Sequence, residues 1–293
     1  MSRPPVAPPK LHAAAERLGR VEAIDAPAKK AGKAVRDAIP HGPVKDAVSG
    51  TWLGHALHPL LTDAVIGPWT SALILDAVGG AHSEKAADLL IGVGIAASLP
   101  TALSGANDWA DTEVADGAIR RVGAVHGVLN TTALGLFTAS LAARRGGRRG
   151  RGKLLAAAGG AALAVSGHLG GHLAYSQGVG VEQTAFDAGP EDWTPTIPTA
   201  ELAEGDSTCV SADGTPVLLV RQGGTIHAIH NRCTHRGGPL DEGEIADGCV
   251  TCPWHGSRFR LSDGAVEQGP ATGPQPPFDV RERDGRLEVR RRA

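Results

Sequence analysis

Apolar residues follow two different rhythms along this chain. In the first they run almost unbroken through four stretches, 57–78, 86–105, 122–143 and 154–175. Each is about twenty residues, the length a helix needs to cross a hydrocarbon core. A soluble Ala-rich bundle would show a charged stripe, whereas these segments are apolar on every face, which favours a membrane bundle. Asp63, Asp76 and Asp88 bring acid into them near ends or first turns. Gly92, Gly94, Gly135, Gly159, Gly160, Gly167 and Gly170 are spread through them, as expected where membrane helices approach closely. Pro59 suits a helix start, and Pro68 and Pro100 predict kinks.

After residue 200 the repeat shortens. Runs rich in β-branched residues occupy 208–211, 216–221 and 225–230, parted by Asp213-Gly214 and Gly223-Gly224 in the manner of hairpins. Further runs lie at 248–251, 258–261, 278–283 and 287–290, with Asp263-Gly264 and Asp284-Gly285 as turns. The pattern predicts a multi-domain chain: an all-α four-helix transmembrane bundle over 51–178, then a small all-β antiparallel domain over 200–293. Residues 1–50, with weak amphipathic pieces broken by Pro27 and Pro40, read as a flexible N-terminal arm. Pro190, Pro195 and Pro198 mark 179–199 as a tether.

At 293 residues there is room for two domains, and a net charge of −2 gives no case for a nucleic-acid partner. Four cysteines without a regular even framework do not describe a disulfide-stapled secreted domain. Charge does order the loops. The segment between the third and fourth stretches, from Arg144 to Lys153, is the densest basic run, whereas the loop before the third carries Asp108, Asp111, Glu113 and Asp116. The positive-inside rule then puts the Arg-rich loop in the cytoplasm and both termini on the outer face of the cell membrane. Lys29, Lys30, Lys33, Arg36 and Lys45 pull the other way, and no N-terminal signal peptide is visible, although Arg148-Arg149 before the fourth span resembles a twin-arginine signal placed internally.

The strongest chemistry lies in two short runs, Cys233-Thr234-His235 and Cys252-Pro253-Trp254-His255, sixteen residues apart. Each offers one thiolate and one imidazole, the ligand set of an iron–sulfur centre with two cysteines on one iron and two histidines on the other. Structural zinc sites more often pair ligands as C-x-x-C or H-x-x-x-H. A Cys233–Cys252 disulfide beside two incidental histidines is a further reading. Cys209 and Cys249, in strand-like runs, are expected to be small buried hydrophobes.

These runs resemble the Rieske family: C-x-H, about sixteen residues, then C-x-x-H-G. The match continues through Gly237, Gly238, Leu240, Gly243, Pro253, Trp254, Gly256, Ser257, Phe259, Gly264 and Gly269-Pro270, covering roughly 193–293. The resemblance implies an antiparallel β fold with two cluster loops at one tip and a [2Fe–2S] cofactor. Cys233 and Cys252 would hold the buried iron, His235 and His255 the outer one. Gly237, Gly238 and Gly256 would let backbone N–H groups approach the sulfurs, and Trp254 and Ser257 would stand beside the cluster. In the Rieske protein of cytochrome bc complexes a disulfide braces the loops; Gly238 and Trp254 occupy the matching positions here. Ser257 keeps the serine hydroxyl of that protein, but Phe259 lacks its tyrosine hydroxyl. The loops therefore look ferredoxin-like, with a potential below that of the bc proteins. Oxygenase large subunits share the motif but append a mononuclear iron domain, and thirty-eight residues after His255 are too few for one.

The spans themselves carry His58, His126, His168 and His172, with His55 just ahead, and up-and-down threading gathers these at one leaflet with Asn107, Asp108 and Trp109. The bland reading is interfacial snorkelling or capping. The sharper ones are bis-histidine haem b using His126 with His168, His172 or His58, and a quinone pocket using His58, Asp63 and Asn107. The His58-Pro59 opening resembles an uncharacterised bacterial four-span membrane family, which implies no activity. Two function classes follow. One is a membrane-anchored electron carrier with lipid and an unknown redox protein as partners; the other is a non-enzymatic redox sensor or assembly module.

Overall fold

A computed structural model describes residues 9–292. Seven α-helices, α1 (Lys10–Leu18), α2 (Asp25–Ala38), α3 (Pro43–Ser49), α4 (Leu57–Val78), α5 (Glu84–Thr112), α6 (Gly117–Arg145) and α7 (Arg149–Gly171), precede the strands. These are β1 (Thr194–Pro198), β2 (Ser207–Ala212), β3 (Thr215–Gln222), β4 (Thr225–His230), β5 (Glu244–Ala246), β6 (Cys249–Thr251), β7 (Arg258–Arg260), β8 (Val266–Gln268), β9 (Pro277–Arg283) and β10 (Arg286–Arg291). The chain divides into a helical unit, which runs to Ala38 and resumes at Leu57–Val179, and a β unit made of Ile39–Ala56 and everything from Gly180.

In the helical unit, four helical segments are long and apolar enough to cross a membrane: Leu57–Val78, Ala81–Thr112, Gly117–Arg145 and Arg149–Ser176. Pro68 and Pro100 stay inside continuous helices. The centre of the bundle is aromatic: Trp69 of α4 stacks on Phe137 of α6 with ring centroids 4.1 Å apart. Small residues such as Ala72, Ala87, Ala133 and Ala156 fill the space around them. Gly94 is required there, because a β-carbon on it would run into the Trp69 indole. Charge is confined to the helix ends. At one, the buried Arg144 guanidinium pairs with Asp76 and Asp88, while Arg149 reaches Asp88 and Glu84. At the other, buried Glu113 receives Arg36 and Arg120, and Arg121 forks onto Asp25.

That second network corrects the expected arm, whose residues 1–8 lie outside the described ones. The segment 10–38 is mostly helical, as α1 and α2, and is fastened to the bundle by Arg36–Glu113 and Arg121–Asp25, both at 2.8 Å. Read locally, these charges look like a solvated face; their partners lie 77 and 96 residues away.

The β unit has two antiparallel sheets, ordered β1-β10-β9-β4-β3-β2 and β5-β6-β7-β8. Asp213-Gly214, Gly223-Gly224, Asp247-Gly248 and Asp284-Gly285 all have positive φ at both positions, the two-residue turn whose twist matches the flanking strands. Strand β3 is buried on both faces. Val217 and Leu219 join Leu202, Phe278 and Leu287 on one side; Leu218 and Val220 join Ile229, Val250 and Phe259 on the other. The expected tether is partly a strand, since β1 pairs with β10 and Trp193 lies under the guanidinium groups of Arg281 and Arg290. Cys249 is buried as expected. Cys209 is exposed, because β2 is the edge of its sheet and Cys209 falls on the outward phase of the alternation.

Candidate metal centre

Two loops in the β unit are built on one plan. The first, 233–238, follows β4; the second, 252–257, joins β6 to β7. In each, a cysteine N–H donates to the carbonyl five residues on: Cys233 to Gly238 at 2.9 Å, Cys252 to Ser257 at 2.8 Å. In each, the residue four on donates back to the cysteine carbonyl, Gly237 at 2.8 Å and Gly256 at 3.0 Å, both with φ in the left-handed region. That closure wraps the backbone around the cysteine. The Cys233 sulfur therefore accepts from the amides of His235 and Arg236, and the Cys252 sulfur from those of Trp254 and His255. Two oriented N–H dipoles on each sulfur favour thiolate.

The sulfurs meet. The Cys233 thiol donates to Cys252, which brings Cys252 down to about 7 and, together with burial, pushes Cys233 up. One proton shared by two buried sulfurs is what a bound metal displaces. The His235 and His255 rings stand edge-to-face with centroids 5.0 Å apart. Burial, then His255, Arg236 and Lys45, hold His235 at about 3, so its imidazole is neutral as a ligand must be. Its Nδ1 is buried with no hydrogen-bond partner, which suits a nitrogen meant for a metal. A β-carbon on Gly238 would sit 2.8 Å from the Cys252 sulfur and 3.1 Å from the Trp254 ring, so that position is kept clear. The four cysteines are free thiols, which removes the Cys233–Cys252 disulfide reading.

Two buried residues that the motif does not mention, Gln275 and Asn231, fix the first loop, and Ser257 of the motif braces the second. Gln275 accepts from Thr234 N–H and donates to the carbonyls of His230 and Arg232, holding both sides of the first loop. Asn231 donates to Asp241 and accepts from its N–H, tying the start of that loop to the turn after it. The Ser257 hydroxyl oxygen accepts from Ala271 N–H at 2.9 Å, which leaves the hydroxyl proton for another acceptor. Phe259 lies wholly in the core beside Cys252. Only the pairing of Gln and Asn with distant backbone reveals such roles, and that is invisible in a linear motif.

The span histidines are otherwise engaged. His126 Nδ1 meets the Ser166 carbonyl at 2.9 Å across the α6–α7 contact, and its Nε2 meets the Asn130 amide one turn along α6 at 3.0 Å, so both ring nitrogens are engaged. His58 Nδ1 meets the Thr101 carbonyl at 3.0 Å in the α4–α5 contact. His172 is buried edge-on to His12 and lies 3.4 Å from Glu16, with His168 lining the same shallow cavity. Haem b or quinone over these histidines finds no support in this arrangement. His58 and His126 staple helices.

Comparisons agree with the two-part reading. Residues 192–279 match the family described as "Rieske [2Fe-2S] domain", and 54–183 match "Predicted membrane protein (DUF2231)". The anthranilate 1,2-dioxygenase ferredoxin subunit of Burkholderia cepacia is 33% identical over 98 residues, 33% of this chain and 91% of that protein. Mouse apoptosis-inducing factor 3 is 34% identical over 90 residues, 31% of this chain; the chain spans only 15% of that relative's length. Among solved structures, the ferredoxin of carbazole 1,9a-dioxygenase from Nocardioides aromaticivorans IC177 is 30% identical, covers 34% of this chain and 99% of its own, with a TM-score of 0.32.

Proposed function

The chain belongs to the Rieske [2Fe-2S] domain family, with that domain following a DUF2231 membrane domain, and from this premise we propose that it is a membrane-anchored one-electron carrier between a membrane redox partner and a second protein. Cys233 and Cys252 hold one iron; His235 and His255 hold the other. The observation that carries this is the repeated loop, which presents a thiolate fed by two amides and a nearby imidazole twice over. When bound, the cluster supplies one-electron chemistry, neutral when oxidised with neutral imidazoles and carrying one negative charge when reduced. The chain's part is electrostatic. The amides of His235, Arg236, Trp254 and His255 and the hydroxyl of Ser257 stabilise negative charge on sulfur, which raises the potential. Similarity to a dioxygenase ferredoxin subunit supports the carrier role rather than catalysis on an organic substrate.

Redox titration of the purified chain followed by EPR tests this: a one-electron wave is expected at a potential below that of the bc-complex proteins. Phe259→Tyr should raise it by restoring a hydroxyl at that position. A wild-type value equal to the bc proteins, or no wave, would refute the reading.

We place the β unit on the outer face of the membrane. Arg144 and Arg149 are neutralised by acids, yet Arg145, Arg148 and Arg151 of the same loop have no ion pair among the described residues, so the loop keeps its inward-directing charge. Cys209 is the one exposed cysteine and a ready reporter. A membrane-impermeant maleimide should label it in intact cells; labelling only after lysis would put the unit in the cytoplasm.

A further inference from the structure

The β unit includes a piece of chain from far upstream, Ile39–Ala56, which lies in sequence between α2 and α4. Its contacts fall on the second cluster loop and the segment that follows. The His41 ring lies against Gly256, where a β-carbon would come within 3.0 Å of it. Asp46 accepts from Gly269 N–H at 2.8 Å, and the Thr51 hydroxyl donates to the Ala271 carbonyl at 3.3 Å. Lys45 is buried and its charge is felt by His235. His255 itself is only 9% exposed.

How the piece is held matters. None of its residues belongs to the apolar clusters of the β unit. The residues α3 buries are Lys45 and Ser49, while Val44 and Trp52 are each 68% exposed. Gly42, Gly50 and Gly54, all with positive φ, bracket α3 on both sides. A short helix flanked by such glycines and fastened by polar bonds can leave its seat at little cost in apolar burial.

Resting on the ligand assignment above, we propose that residues 41–51 are a cap over the histidine-bearing edge of the metal centre, so that a soluble protein partner exchanges electrons with it only when the cap lifts. Asp46 and Thr51 are two of its latches. Small reductants pass the closed cap; a protein does not.

The test uses the full chain with its cluster in detergent, reduced either by dithionite or by a reduced soluble ferredoxin. Each event moves one electron, oxidising the donor by one and reducing one ferric ion to ferrous. Asp46→Ala with Thr51→Ala should raise the ferredoxin rate at least about tenfold, the population shift that losing the charge-assisted Asp46 bond alone gives, and leave the dithionite rate nearly unchanged. Asp46→Asn, which keeps an oxygen acceptor, should restore much of the closed behaviour. Hydrogen exchange at the Gly269 amide, slow in the wild type, should quicken in the alanine variant and can be followed on metal-free protein. Rapid Gly269 exchange in the wild type would overturn the cap, as would faster exchange in the variant without a faster ferredoxin rate. The cluster's own spectrum, read first, reports separately on the ligand assignment.

Discussion

Cys252→Ala is expected to strip the chain of its iron. In the wild type the two buried sulfurs share one proton and each accepts two amide bonds, an arrangement that a pair of thiolates on one iron satisfies. Removing one sulfur leaves that iron a single protein ligand, and iron content should fall from about two atoms per chain to near zero, with loss of visible absorption and of the reduced-state EPR signal. His255→Gln should do the same from the other side of the cluster. Cys252 also sits in the core with Phe259, Leu261 and Ala271, so the β unit should lose stability along with the metal. Iron analysis and circular dichroism read both effects. Cys252→Ala protein that still binds two irons would show that the ligands lie elsewhere.

Arg144→Leu should unfold or badly destabilise the helical unit. Its side chain is fully buried and paired with Asp76 and Asp88, with Ser140 accepting a further bond at 3.0 Å. Removing one partner of a buried ion pair typically costs about 3–5 kcal/mol, because the remaining charge stays buried and uncompensated. Here Asp76 would lose its charge partner, while Asp88 would keep Arg149. Thermal unfolding in detergent, monitored by helical circular dichroism, should show a large drop. Arg144→Leu combined with Asp76→Leu should recover part of it. A single variant as stable as the wild type would mean that the network contributes nothing to holding α4, α5 and α6 together.

Much of this architecture was legible in the sequence because its causes are local. Stretches apolar on all faces declared the four long helices, and Asp-Gly and Gly-Gly pairs between β-branched runs declared the hairpins that occur. The two Cys/His runs fall on loops with matching hydrogen-bond closures, and Gly238, one of the matched glycines, is where a side chain would strike Cys252. What stayed hidden depends on distant partners. Asp46 meets Gly269 across 223 residues and Thr51 meets Ala271 across 220, so nothing near residue 46 announces a place beside the metal centre. Arg36 and Asp25 owe their places to Glu113 and Arg121, which lie far from them in sequence. Gln275, buried and bonded three ways to the first loop, carries no motif at all. Cys209 departs from the buried position expected for a related reason: strand propensity says nothing about whether a strand ends up at a sheet edge.

Anaerobic purification of the full chain, followed by analysis for iron, zinc and acid-labile sulfide and by EPR of the reduced protein with nitrogen hyperfine detection, addresses the ligand set most directly. The expected result is about two irons and two sulfides per chain, with histidine nitrogen coupled to the reduced cluster. Zinc in place of iron, or a cluster with no nitrogen coupling, would contradict it.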